Sequence, residues 1–169
     1  MALVACAAAP AFAQRSTHIG VGGGISAPVG RIDSTYTSGR QGMVVLTTGP
    51  SEGPFGLRLD YSYNALRGKT VNGVRIPDTH YDAVTANLVG EFRVANVKPY
   101  ALGGVGGYSH RPVPGGKRVT NLGYNGGAGI TFPIATLPVS GFLETRYTVV
   151  APRNAPTEHL LPVTLGVMF

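Results

Sequence analysis

Few residues in this chain are of a type that does chemistry. It has four histidines, one cysteine and eight acids in 169 residues. A histidine two residues before a serine, with an acid nearby, could attack a lipid ester. The four histidines read His18-Ile-Gly, His80-Tyr-Asp, His110-Arg-Pro and His159-Leu-Leu, so none has that serine. Ser109 and His110 are adjacent, and adjacent strand residues point to opposite sides. His80 lies between Asp78 and Asp82 at a loop edge, a grouping of the kind used by rim proteases, although a polar rim accounts for it more simply. No histidine or cysteine spacing suggests a metal site. The glycine clusters Gly20–Gly24 and Gly103–Gly107 do not complete G-x-G-x-x-G before a helix. No catalytic residue, metal or cofactor is therefore expected, and the chain is not read as an enzyme.

A different set of charges recurs at alternate positions. Arg58, Asp60, Glu91, Glu144 and Arg146 each sit opposite apolar neighbours in a segment with a two-residue period. In Phe55–Ala65, Phe55, Leu57, Leu59, Tyr61, Tyr63 and Ala65 share one face, while Gly56, Arg58, Asp60, Ser62 and Asn64 share the other. That is a strand with one apolar and one polar face. Similar segments are His18–Ala27, Tyr81–Phe92, Tyr100–Ser109, Asn121–Phe132, Val139–Thr148 and Leu161–Phe169. In Tyr100–Ser109, the set Tyr100, Leu102, Gly104, Gly106 and Tyr108 is taken as the apolar face. Gln41–Gly49 alternates poorly because Met43-Val44-Val45-Leu46 is apolar throughout. Eight strands are expected.

Composition agrees. Glycine is 25 of 169 residues, roughly twice the usual share, and charged residues are 13%, about half of it. That glycine content disfavours long helices, and the low charge disfavours disorder. No segment approaches the ~18 apolar residues of a transmembrane helix. Closed β-barrels are the other structure able to cross a bilayer, and their mark is alternating segments separated by turns. The connections here alternate without exception. Pro28–Arg40, Arg67–Thr79, Arg111–Val119 and Val150–His159 are long; Pro50–Pro54, Arg93–Lys98 and Pro133–Pro138 are short. Long external loops and short periplasmic turns sort in this way in outer-membrane barrels.

Aromatic pairs provide a second sign. Phe55 and Tyr63, Tyr100 and Tyr108, and Tyr124 and Phe132 are each eight residues apart. Eight steps span roughly 26 Å along a strand, about 20 Å of height once tilted, near the apolar band and its aromatic girdles. All six are expected on the lipid face. Tyr81 falls on the inward parity of its strand.

The stretch Val21–Gly30, the segment Ala86–Gly90, Pro99–Tyr108 and the ending Pro162–Phe169 resemble the small bacterial outer-membrane β-barrel family, the eight-stranded OmpA- and OmpX-like barrels. The resemblance covers nearly all of residues 14–169 and implies an all-β, eight-stranded, antiparallel up-and-down transmembrane barrel. It implies a place and a fold rather than a reaction. Val163, Leu165, Val167 and Phe169 resemble the C-terminal signal read by the barrel-assembly machinery. Pro162 departs from the pattern, and a strand start or bulge at the outer rim is expected there.

Residues 1–13 are apolar and end in Ala11-Phe12-Ala13, as secretory signal peptides do. No Lys or Arg precedes the apolar run, so a start further upstream is expected. Leu3-Val4-Ala5-Cys6 also reads as a lipoprotein box.

An eight-stranded lumen is only wide enough for side chains to fill. Its charges must pair, which predicts a salt-bridged plug, with a narrow ion pathway as the alternative. The long loops carry Arg31, Arg40, Arg67, Lys69, Arg75, Arg111, Lys117, Arg118 and Arg153 against Asp33, Asp78 and Glu158. Such a rim would face the phosphates of lipopolysaccharide or other anionic surface sugars. Nucleic acid is not expected, since no recognition motif accompanies the basic charge. The expectation is a monomeric outer-membrane barrel, exported through the periplasm, with a structural or surface-interaction role. A soluble lipocalin-like barrel binding an apolar ligand, or a lipid-modifying rim enzyme, are the alternatives.

Overall fold

The computed structural model describes residues 15–169 apart from 51–53, 113–117, 136 and 153–155. The apolar N-terminal segment, Lys117 and Arg153 lie outside the described residues. Eight long strands close on themselves: β1 (Arg15–Val29), β2 (Tyr36–Pro50), β3 (Phe55–Gly68), β6 (Thr79–Glu91), β7 (Lys98–Pro112), β8 (Val119–Pro133), β9 (Ser140–Val150) and β10 (Glu158–Met168). Each pairs antiparallel with its chain neighbours, and β1 closes the barrel on β10 from Gly20↔Met168 to Val29↔His159. Phe169 extends that seam through reciprocal backbone bonds with Ile19. Closure leaves no strand edge, so the backbone of the wall pairs between neighbouring strands, as a lipid surrounding requires.

The strands outrun their expected limits on the long-loop side. Of the first connection, only a 3-10 turn, Gly30–Ser34, and Thr35 remain. In the second, β4 (Thr70–Val71) and β5 (Val74–Arg75) form a small hairpin. Its turn needs a left-handed backbone at Asn72 and Gly73, the asparagine-glycine pair suited to it.

Apolar side chains face outward and polar ones inward. Ile19, Val21, Val44, Leu46, Leu57, Leu59, Val84, Leu88, Leu122 and Leu165 are all exposed on the outer wall. Gln41, Asn64, Thr85, Asn87, Asn125, Thr148 and Thr164 are buried inside. A soluble barrel would have the opposite arrangement, so the lipocalin-like alternative has no support in the wall.

β2 explains its own poor alternation. Val44 and Leu46 face lipid, while Met43 and Val45 turn inward against Phe142. Both faces of this stretch are therefore apolar. Pro162 sits inside β10 rather than at its start. The ladder to β9 runs from Leu160↔Thr148 to Val163↔Thr145 with no pairing at Leu161 and Pro162, where the proline has no donor to give.

The face assigned to Tyr100 and Tyr108 is corrected by the structure. In β7, Ala101, Gly103 and Val105 face out, and Tyr100, Leu102 and Tyr108 are buried in the lumen. Glycines on β8 make the room. A Cβ at Gly129 would lie 2.5 Å from the Tyr100 ring, and one at Gly123 would lie 2.8 Å from Tyr108. The tyrosines lie over bare backbone, and the Tyr100 hydroxyl finds a lumen carboxylate. Phe55, Tyr63 and Tyr124 are exposed on the outer wall, and Phe132 lies half-buried at the same parity over Gly141. With Phe92, Phe169, Tyr61 and Tyr147, the outward aromatics sort by type. Phenylalanines ring the short-turn end, and tyrosines ring the long-loop half.

Candidate functional site

The lumen is built in layers. At the short-turn end a cavity of about 630 Å³ opens between strand ends, lined by His18, Thr47, Val89, Glu91, Lys98 and Met168 among others. Above it, Met43, Val45 and Phe142 form one apolar cluster, and Val89, Tyr100 and Leu102 form another. Next comes a closed set of four charges. Arg58, Asp60, Glu144 and Arg146 are 4%, 1%, 2% and 7% exposed.

Their bonds join opposite walls. Arg58 Nε donates to Asp60 Oδ1 at 2.6 Å, and its Nη1 donates to Glu144 Oε2 at 2.6 Å. Arg146 Nε donates to Glu144 Oε1 at 2.5 Å, and its Nη2 lies 2.9 Å from Asp60 Oδ2. The Tyr100 hydroxyl donates to Glu144 at 2.7 Å, and the Asn87 amide donates to Asp60 at 2.7 Å. Two guanidinium groups and two carboxylates thus share four ion pairs across β3 and β9. Two features lower the cost of burying them: the net charge is zero, and planar guanidinium forks meet carboxylates at charge-assisted distances. The Arg58 guanidinium also lies 5.9 Å from the centre of the Phe142 ring.

Glu91 does not join this network. It has the inward parity of β6 but sits at the strand's last position, exposed at the mouth of the lower cavity. Parity alone identified it, and height along the strand separates it from the others. Sequence reasoning missed Tyr100 and Asn87 as members, because an inward tyrosine and an uncharged amide give no signal until the register is known.

Above the charges, Gln41, Ser62, Asn64, Thr85 and Thr148 surround a cavity of about 20 Å³, on the scale of one water molecule. Gln41, one of these, accepts from the Thr164 hydroxyl at 2.6 Å. The long-loop end closes on Leu66, Tyr81 and Leu160, with Ile32 from the 3-10 turn and Tyr36 packed over them. This accounts for the inward Tyr81. It is 1% exposed and stacks on His110 with ring centres 4.8 Å apart.

The loop charges divide. Lys69 pairs with Asp33, Arg75 with Asp78 and Arg118 with Asp82. Arg31 lies exposed in the 3-10 turn. Three cations assigned to loops are instead on strands. Arg40 is in β2, Arg67 in β3 and Arg111 in β7, all exposed. The strands rise past the apolar band and carry these residues with them.

The His80 grouping does not assemble into an acid–histidine pair. His80 Nδ1 bonds the Tyr63 hydroxyl at 2.7 Å, Asp82 accepts from Tyr61 and Arg118, and Asp78 accepts from the Gly68 backbone N–H. Among the described residues, no group of three histidines or acids is placed to hold a metal ion.

Comparison with known proteins agrees with this geometry. The crystal structure of Neisserial surface protein A superposes with a TM-score of 0.68 at 15% identity, covering 91% of this chain and 97% of that one. The outer membrane protein OprG of Pseudomonas aeruginosa gives 0.59 at 12% identity, covering 92% and 97%. The N-terminal β-barrel domain of OprF from the same organism gives 0.58 at 11% identity, covering 92% and 98%. These likenesses concern the fold. No curated protein matches the chain. The outer membrane protein beta-barrel domain family matches residues 1–148. The chain therefore belongs to that family, and it is an eight-stranded transmembrane barrel of the outer membrane.

Proposed function

We propose that the protein is a non-conducting, non-catalytic outer-membrane barrel whose role is structural and interactive at the cell surface. The observation that carries this reading is the pair of stacked closures in the lumen. Arg58, Asp60, Glu144 and Arg146 bridge the walls at mid-height, and Leu66, Tyr81, Leu160 and Ile32 cover the long-loop end. Opening a path would break several buried ion pairs, each costly to lose singly. The surface then acts through its rim, whose Arg31, Arg40, Arg67 and Arg111 have no carboxylate partner among the described residues. Their counterpart is anionic: lipopolysaccharide or acidic surface sugars.

The test uses purified protein in liposomes. Swelling in small sugars should match that of empty liposomes. The same vesicles should be retained on immobilised lipopolysaccharide and released by raised salt, as screened rim charges require. Solute-dependent swelling would contradict the closed lumen; salt-insensitive passage through the column would contradict the basic rim.

A further inference from the structure

The three strand-borne arginines do not point in unrelated directions. The register places Arg40 beside Ala65, Ala65 beside His80 and His80 beside Arg111 on four successive strands. All four residues have the outward parity. Arg67 lies one outward step above Ala65 on β3. Neighbouring strands are about 4.8 Å apart, so the row from Arg40 to Arg111 spans roughly 14 Å of wall.

The row lies at a definite height. One outward step below it come Gly42, Tyr63, Asp82 and Ser109, and one further step gives Val44, Tyr61, Val84 and Gly107. Below these the wall is Leu46, Leu59, Ala86 and Val105. The cations therefore lie one polar row, Gly42 to Ser109, above the end of the apolar band. An outward arginine costs about 2–4 kcal/mol at the bilayer midplane and close to nothing at the interface. Three of them on one sector mark that level as headgroup, not hydrocarbon.

Their bonding leaves them available. Arg40, Arg67 and Arg111 have no ion-pair partner among the described residues. The nearby carboxylate, Asp82, is already bonded by Arg118 at 2.6 Å and by the Tyr61 hydroxyl at 2.9 Å. Tyr63 occupies Nδ1 of His80, and Nε2 has no hydrogen-bond partner among the described residues. Ala65, small and half-buried, leaves a shallow gap in the middle of the row.

We propose that Arg40, His80 and Arg111, with Arg67 above, form a lateral binding site for the phosphorylated disaccharide headgroup of an outer-leaflet glycolipid. Guanidinium forks suit phosphate oxygens. The width of the row suits a disaccharide bearing a phosphate at each end, and the apolar wall that starts two outward steps down, at Val44, Tyr61 and Val84, receives its acyl chains. The site rests on the anionic counterpart proposed above for the rim. It assigns that counterpart to one wall of the barrel instead of to the loops, and it does not depend on the closed lumen.

Native mass spectrometry of the detergent-purified barrel tests it, with bisphosphorylated lipid A as probe. The expected result is a one-to-one adduct that is about tenfold or more weaker in R40Q/R111Q, a loss of ~1.4 kcal/mol or more. R40K/R111K, which keeps the charge and loses the fork, should bind with a strength between that of R40Q/R111Q and the unaltered chain, and R93Q/K98Q, which removes two charges at the opposite rim, should retain all of the binding. Each variant is first shown to be folded by its shifted mobility on unboiled gels. Dephosphorylated lipid A should give no adduct, and equimolar inorganic phosphate should not displace the lipid. Equal binding by R40Q/R111Q and the unaltered chain would overturn the site, as would equal loss in R93Q/K98Q. Displacement by equimolar phosphate would reduce the row to an anion site and overturn the lipid assignment. A wild-type adduct that R40Q/R111Q leaves unchanged would sink this site while sparing the basic rim; vesicles that pass the lipopolysaccharide column would sink the rim itself.

Discussion

Replacing Glu144 by glutamine should be the most damaging single change in the lumen. Glu144 is 2% exposed and accepts from Arg58 at 2.6 Å, Arg146 at 2.5 Å and Tyr100 at 2.7 Å. The four-charge set is neutral, and Glu144→Gln leaves Arg58 and Arg146 sharing Asp60 alone, a buried net charge of +1. The glutamine amide also turns two donors toward guanidinium donors. Breaking a buried pair from one side costs about 3–5 kcal/mol. With a urea dependence of ~2 kcal/mol per molar, the unfolding midpoint should fall by about 2 M. The fraction of folded band on unboiled gels, followed across a urea series in detergent, measures this; far-UV dichroism is the second probe. Two comparisons make the result specific. Glu91→Gln, at the exposed lower mouth, should leave the midpoint unchanged. Arg58→Met with Glu144→Met restores neutrality and leaves Arg146 with Asp60, so it should cost less than Glu144→Gln alone. A Glu144→Gln midpoint that falls by less than about 0.5 M, a loss under ~1 kcal/mol at that urea dependence, would mean that the buried ion pairs do not hold the lumen.

Tyr100→Phe removes the hydroxyl that donates to Glu144 and should cost about 1–3 kcal/mol in the same urea series, since a charged acceptor loses a partner. Gly129→Ala places a Cβ 2.5 Å from the Tyr100 ring, and overpacking of this kind costs ~1–3 kcal/mol; the double variant Gly129→Ala with Tyr100→Leu should recover part of it. Removing Phe169 takes away the reciprocal bonds with Ile19 at the β1–β10 seam. The yield of heat-modifiable protein in outer-membrane fractions should then fall, with unassembled chain accumulating in the periplasm.

Much of the fold is legible in the sequence wherever one face of a strand is apolar and the other polar. Phe55–Ala65 declares both its type and its orientation, and Arg58 and Asp60 are thereby placed inside. The signal fails where both faces have similar character. In β7, tyrosines alternate with glycine and leucine on one face, and alanine, valine and glycine occupy the other. Volume decides instead: the lumen needs Tyr100 and Tyr108, and Gly129 and Gly123 across the wall leave room for them. That complementarity links residues on different strands and is invisible until the register is fixed. Loop boundaries fail for a related reason. Arg40, Arg67 and Arg111 look like loop residues because they are charged, yet a strand that rises above the hydrocarbon can carry arginine on its outer face. Partners in the charge network are legible by parity, whereas the exclusion of Glu91 depends on height along the barrel.

Electrical recording from the purified protein in planar bilayers reads out directly whether paired charges close the lumen. The unaltered barrel should pass no stepwise current at neutral pH. Discrete, reproducible conductance steps from the unaltered, folded protein would show that the lumen is open.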